Sequence, residues 1–206
     1  MKLLSYIIDR DFGFAPNPFH GYCTLATCKP KTRSVASVDD WVLGIGGRNL
    51  HAGYKKLIFA MKITEKLTFN QYWNDARFQE KKPLLNGSLM QAYGDNIYFN
   101  DGENWIQADS HHSYDEGRVN ERNLVKDTSC EFVLISEYFY YFGAEFQLIP
   151  KRFDAYIIQG GSNHRRVNDT SIIQDISTWI ESNFEKNYIY GFPFHFDKFK
   201  RYNGES

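Results

Sequence analysis

The chain has 206 residues, 42% of them hydrophobic, which is enough for one well-buried core and leaves no long polar tract. Its 24 basic and 25 acidic residues give a formal net charge of −1, which argues against a protein that coats duplex DNA through its phosphates. The aromatic share, 17%, leans towards β-rich structure and supplies rings on which flat ligands stack.

The apolar run in Met1–Asp11 is too short and too soon interrupted for a signal peptide, and no stretch has the length of a membrane span. Three cysteines, Cys23, Cys28 and Cys130, fit reduced thiols, so a cytoplasmic protein without membrane contact is expected. Cys23 and Cys28 lie five apart, a poor match to structural zinc spacing, and neither a metal nor a cofactor is expected.

In chain order, Leu3–Ile8 reads as a first strand, followed by an irregular loop over Gly13–Gly21 with two prolines. Cys23–Thr27 is a short apolar stretch, and Pro30 suits the first position of a helical turn. Asp39-Asp40 reads as a turn entering a buried strand from Trp41 to Gly46. A hairpin joins it to the longest predicted strand, Lys56–Leu67. Thr68 caps a short helix to Asp75, and Arg77–Asp127 reads as loop-rich, with aromatics that speak against disorder. Cys130–Tyr141 reads as strand, and Ser171–Glu185 as an amphipathic helix carrying Ile172, Ile173, Ile176, Trp179, Ile180 and Phe184. One domain over 1–206, an α+β fold with a strongly curved or barrel-like mixed sheet and a few flanking helices, is the expected architecture.

Four places carry more polar sequence than a core requires. In the first, Lys29, Lys31 and Arg33 at a helix start suit an anionic group. In the second, Asp75 and Arg77 bracket an exposed turn. In the third, Asp95 and Asn96 sit between Tyr93 and Tyr98, a donor–acceptor pair for a base edge beside rings for its face. The fourth is densest: Asp109, Ser110, His111, His112 and Ser113, followed by Arg118, Asn120 and Asn123. Such a set suits acid–base work by Asp109, His111 and His112, or the reading of a polar ligand. His164-Arg165-Arg166 adds charge of the phosphate-facing kind. No Walker loop, dinucleotide fingerprint or nucleophile elbow is present.

The segments Asn17–Pro30, Asp40–Gly44, Tyr72–Phe78, Tyr93–Tyr98, Asp109–Ser113 and Tyr141–Gly143, in that order, resemble the nucleotide modification associated domain 2 family. That resemblance implies a link to modified bases in phage and bacterial DNA. At fold level the middle is similar to PUA-like barrels, including base-binding EVE domains, in which an acidic turn enters a strand. Here that is Asp39-Asp40-Trp41-Val42, which implies that Trp41 borders a pocket.

The leading expectation is a module that binds a nucleotide or modified base, free or within DNA, without chemistry of its own. Tyr93, Tyr98, Trp105 or Tyr114 would stack, Asp95 and Asn96 would read the edge, and Lys29, Arg33 or Arg118 would meet phosphate. The rival is an enzyme acting on a base or nucleotide, and the third reading is a nucleotide sensor with a protein partner from a defence or modification system.

Overall fold

The computed structural model describes residues 1–50, 55–161 and 164–204. Leu3–Ile8 forms β1, buried along its whole length. Cys23–Leu25 is β2, and Pro30–Val35 is α1, with proline in the first turn, where no amide partner is needed. Trp41–Gly46 is β3, and it runs parallel to β1 with Leu3 opposite Trp41 and Ile8 opposite Gly46.

The predicted strand Lys56–Leu67 is two strands, β4 (Lys56–Lys62) and β5 (Glu65–Thr68). Likewise Cys130–Tyr141 divides into β8 (Phe132–Ser136) and β9 (Phe139–Tyr141). Both breaks fall at one corner, where the chain passes from one sheet into the next. Ser136 Oγ pins that corner by donating to the carbonyls of Lys62 (2.6 Å) and Tyr138 (2.8 Å). Apolar residues on both sides of each break hide it from hydrophobic periodicity.

Between these strands lie α2 (Phe69–Asn74), α3 (Leu89–Ala92), β6 (Tyr98–Asn100), β7 (Trp105–Gln107) and α4 (Glu121–Thr128). Thr68 caps α2 as expected, its hydroxyl accepting from the Gln71 amide while the Gln71 side chain answers the Thr68 amide. The segment read as loop-rich therefore contains a hairpin and two helices. The chain closes with β10 (Gln147–Leu148), β11 (His164–Val167), α5 (Thr170–Asn183) and β12 (Tyr188–Ile189).

A seven-stranded mixed sheet takes the order β11-β1-β3-β4-β9-β12, with β10 beside β4, and a second sheet takes the order β2-β8-β5. Of the expected strongly curved or barrel-like mixed sheet, the mixed sheet is present and no closed barrel forms: among the described residues the path ends at β11 and β12. Short strands at both ends blunt the open edges. The α+β class stands.

Alternation along β1 separates two cores. Leu3 and Ile7 face α5, where Ile173, Ile176 and Ile180 pack against them and Trp41. Leu4, Tyr6 and Ile8 face the second sheet, with Leu25, Ile58, Leu134 and Tyr141. Burial of each of the three α5 isoleucines contributes about 1.5–3 kcal/mol. A third cluster, including Phe14, Phe69, Tyr72, Phe78, Tyr93 and Tyr98, fills the space under the middle segment. The end of β1, the turn into α1, the 108–114 loop and the C-terminal segment then meet around a common cleft.

Candidate functional site: a thiol, an imidazole and a carboxylate at a cationic cleft

The cleft encloses about 550 Å³, a size suited to a small ligand. Its walls come from Tyr6, Ile7 and Ile8 of β1, Phe12 and Phe14 of the following loop, Cys28–Thr32, His111, His112, Lys126 of α4, His164 of β11, and Tyr202. Arg10, Lys29, Lys31 and Lys126 give it four cations against the single acid Asp9.

Cys28 opens onto this cleft from a sharp turn between β2 and α1. It and Lys29 both adopt left-handed backbone conformations, φ 56° and 40°. A single such residue without glycine's freedom costs roughly 1 kcal/mol, so the surroundings must hold the turn. They do so on both sides of the residue. The Cys28 amide donates to Asp127 Oδ1 at 2.8 Å, and the Cys28 carbonyl accepts from Arg33 Nε at 2.9 Å.

Beside the turn stands His112. Its Nε2 is 3.8 Å from Cys28 Sγ, and its Nδ1 donates to Asp127 Oδ2 at 2.8 Å. The Tyr98 hydroxyl gives that same carboxylate oxygen a second hydrogen bond, at 3.0 Å. Burial alone would push the His112 pKa down, but the Asp127 charge and the Cys28 sulfur outweigh it and raise it to about 9. Asp127 in turn is held below its usual value, because His112 and Arg33 more than offset its own burial. His111 stacks on His112, 5.4 Å between ring centres, yet its surroundings are opposite in kind. Burial and the neighbouring His112 charge push its pKa down to about 3, and its Nδ1 donates to the Lys200 carbonyl. One histidine is therefore tuned to carry charge and the other to stay neutral.

Further polar side chains hold the loop in place. Gln107 and Asn123 both donate to the His112 carbonyl, at 3.2 and 3.0 Å. Asn120 caps α4 by accepting from the Asn123 amide, and the Gln107 side chain accepts the Asn120 amide. The Ser110 amide donates to Ser113 Oγ, which itself donates to Asp109 Oδ1 at 3.0 Å. Asp109 is exposed and paired with Arg201, whose Nη1 lies 2.6 Å away. Arg201 also donates to the Ser110 carbonyl and to Ser113 Oγ, and so straps the C-terminal segment to this loop. Tyr202, the next residue, covers His112 with its ring centre 5.6 Å away.

The structure thus gathers His111, His112, Tyr98, Ser110, Ser113, Asn120, Asn123 and Asp109 into one region. Arg33 belongs to it from below. It is fully buried, and its guanidinium donates to the carbonyls of Cys28, Asp127, Cys130 and Phe132. Lys29 lines the cleft, its ammonium on the Ile7 carbonyl and 4.9 Å above the Tyr6 ring. Asp95 and Asn96 turn inward instead. Asp95 accepts from Thr24 and Tyr72 hydroxyls, and Asn96 donates to the carbonyls of Tyr72 and Phe78. The Tyr93 hydroxyl accepts from the Lys200 amide. Trp41 lies in the core beneath α5, Asp75 and Arg77 form a surface cluster with Glu65, and Arg118 is exposed at the Asp115 turn. None of these four lines the cleft.

Cys28 and Asp127 escaped the sequence reading as site residues. Cys28 had a local signal, its place just before Pro30 at a helix start, whereas Asp127 had none. Among the described residues, Cys28, His112 and Asp127 are also a group whose donor atoms, within 4.8 Å of one another, suit a metal such as zinc. The imidazole, however, turns one nitrogen to the thiol and the other to the carboxylate. One ion held by all three would use a single ring nitrogen, whereas the ring as placed has one nitrogen on each neighbour, an order that also suits proton transfer between thiol and imidazole.

Fold and site define an α+β protein with a half-buried Cys28 beside a buried His112–Asp127 pair at the floor of a cationic, aromatic cleft. The chain belongs to the nucleotide modification associated domain 2 family, whose model matches residues 1–200. No curated protein and no solved structure matches it. No helix among the described residues is long and apolar enough to cross a membrane.

Proposed function

We propose that this cleft binds a nucleotide or nucleobase, free or within DNA, as part of the nucleotide-modification role that its family implies. The observation that carries the reading is the wall itself, where Lys29, Lys31, Lys126 and Arg10 accompany the rings of Phe12, Phe14 and Tyr202. Cations suit phosphate, and rings suit the face of a base. Buried in the same wall, the Tyr6 hydroxyl has no hydrogen-bond partner among the described residues. Lys126 and Lys29 would meet the phosphate and Tyr202 would stack. The three free cysteines accord with a cytoplasmic setting, where a protein partner from the same modification or defence system would be met.

A thermal-shift titration tests this with deoxynucleoside monophosphates, the matching nucleosides, inorganic phosphate and short single-stranded oligonucleotides. A monophosphate should raise Tm more than its nucleoside or phosphate alone, and Tyr202→Ala and Lys126→Ala should each weaken the effect. No shift with any of them would end the reading. A shift only with oligonucleotides would confine it to bases within a strand.

A further inference from the structure

Cys28 combines three properties that are independent of one another. It is half-buried at the floor of a cleft, while Cys23 and Cys130 are buried away from it. It sits on a strained strand–turn–helix connection, the placement that thrusts a nucleophile out of its backbone. Its sulfur faces an imidazole whose other nitrogen is fixed by a carboxylate. An activated nucleophile needs this order of groups: thiol, base, and a third group that orients the base.

We propose that Cys28 is a covalent nucleophile for acyl transfer, with His112 as its general base and acid, acting on an amide or ester group carried by the ligand of this cleft. Only the identity of that ligand rests on the nucleotide reading. Asp127 and Arg33 are positioning residues, the first acting through His112 and the second through the carbonyls of Cys28 and Asp127.

The pair starts as thiolate and imidazolium, with the Cys28 proton already on His112 Nε2, and in the first step sulfur forms a bond to the carbonyl carbon. The carbonyl π electrons move to oxygen. When they return, the C–N or C–O bond breaks, and the leaving amine or alcohol takes the proton from His112. A thioester on Cys28 remains. Water then attacks it, giving a proton to His112; the C–S bond breaks and the thiolate–imidazolium pair is restored. One amide or ester and one water become one carboxylic acid and one amine or alcohol, with no redox partner. Asp127 keeps the imidazole in the tautomer that both transfers need, with the Nδ1 proton directed at the carboxylate.

The test uses the full chain with p-nitrophenyl acetate as acyl donor and limiting iodoacetamide as a thiol probe. We expect a burst of about one p-nitrophenol per chain, with the acetyl group mapped to Cys28 by peptide mass spectrometry. Cys28→Ala should abolish the burst. His112→Gln should slow both acetylation and alkylation of Cys28 by about a hundredfold or more, with the circular dichroism spectrum unchanged. A merely accessible thiol would react as fast in His112→Gln as in the parent, and that result overturns the proposal. So does acetylation that bypasses Cys28. Zinc bound one to one in the purified protein, with chelation speeding alkylation, overturns it too and makes the three residues a metal site. A reactive Cys28 without any nucleotide shift would retain the nucleophile and discard the ligand; a nucleotide shift with an inert thiol would do the reverse.

Discussion

Asp127 and Cys28 are 99 residues apart in sequence and joined twice: one carboxylate oxygen accepts the Cys28 amide at 2.8 Å, and the other reaches the thiol through His112. A single side chain thereby fixes both the backbone of the sulfur and the orientation of its base. Asp127→Asn breaks a buried charge pair and aims an NH2 group at donors, so it should destabilise the protein by about 3–5 kcal/mol in urea unfolding. Alkylation of Cys28 in the molecules that remain folded should fall at least about tenfold. An unchanged alkylation rate would mean that Asp127 serves the fold alone.

Arg33 gives a second test, because its sequence position suggested phosphate and its surroundings are four carbonyls. Lysine cannot span that fork, since an ammonium is a point donor and a guanidinium a planar one. Arg33→Lys should cost about 2–4 kcal/mol of stability through carbonyls left unpaired in the interior. Nucleotide affinity per folded molecule should stay within about twofold, a change worth less than 0.5 kcal/mol. The opposite outcome, normal unfolding with affinity down more than about tenfold, would return Arg33 to the ligand.

What could be read from the sequence follows from where the information sits. β1, β3, the start of α1 and the Thr68 cap carry local signals, namely apolar runs, a proline and a Thr–Gln pair three apart, and all of them hold. The helix α4 is missed because, of its apolar residues, Leu124 is buried while Val125 stays exposed, so it shows no apolar stripe. His111 and His112 are found as a cluster, but their opposite roles depend on burial and on Asp127. Asp95 and Asn96 look like a base-reading pair, yet they satisfy hydroxyls and carbonyls of their own core. Their polarity is visible in sequence, and the direction they face is a tertiary fact. Cys28 and Asp127 meet only once β2, α1 and α4 are packed.

Arg201 controls the C-terminal strap. Its guanidinium lies 2.6 Å from Asp109 and 3.1 Å from Asp115, and both acids are largely exposed. Exposed pairs contribute little to global stability, so Arg201→Gln should shift unfolding by no more than about 1 kcal/mol. Locally the effect should be larger, because the same side chain also holds the Ser110 carbonyl and Ser113 Oγ. Amide hydrogen exchange of residues 198–204 should speed up while that of β1 and β3 stays as it was. Nucleotide affinity should drop together with strap protection, since Tyr202 rides on the strap. Faster exchange with full affinity would detach Tyr202 from the ligand.

Lys81 offers a pH test that leaves the cleft alone. It is fully buried, and its ammonium donates to the carbonyls of Asn17 and Tyr22 and to Asn17 Oδ1, at 2.8–3.1 Å. Burial pulls its pKa down to about 8, against a partial return from Asp95. The unfolded chain keeps the proton to about pH 10.5, so between the two values the unfolded state binds more protons and stability rises with pH. The contribution is fully present above the unfolded value and is lost as pH falls to the folded one, about 3 kcal/mol across the window. His112 pulls the other way up to about pH 9, since its raised pKa makes stability fall as pH rises from 6.5. That effect is common to the parent and Lys81→Met, so it cancels in their difference. Urea unfolding at pH 7, 8, 9 and 10 should show the parent gaining on Lys81→Met from pH 8 upward, by up to about 1.4 kcal/mol per pH unit. Parallel stability curves would mean that Lys81 keeps its charge throughout and that Asp95, whose own pKa is raised by burial, holds it more firmly than the carbonyls do.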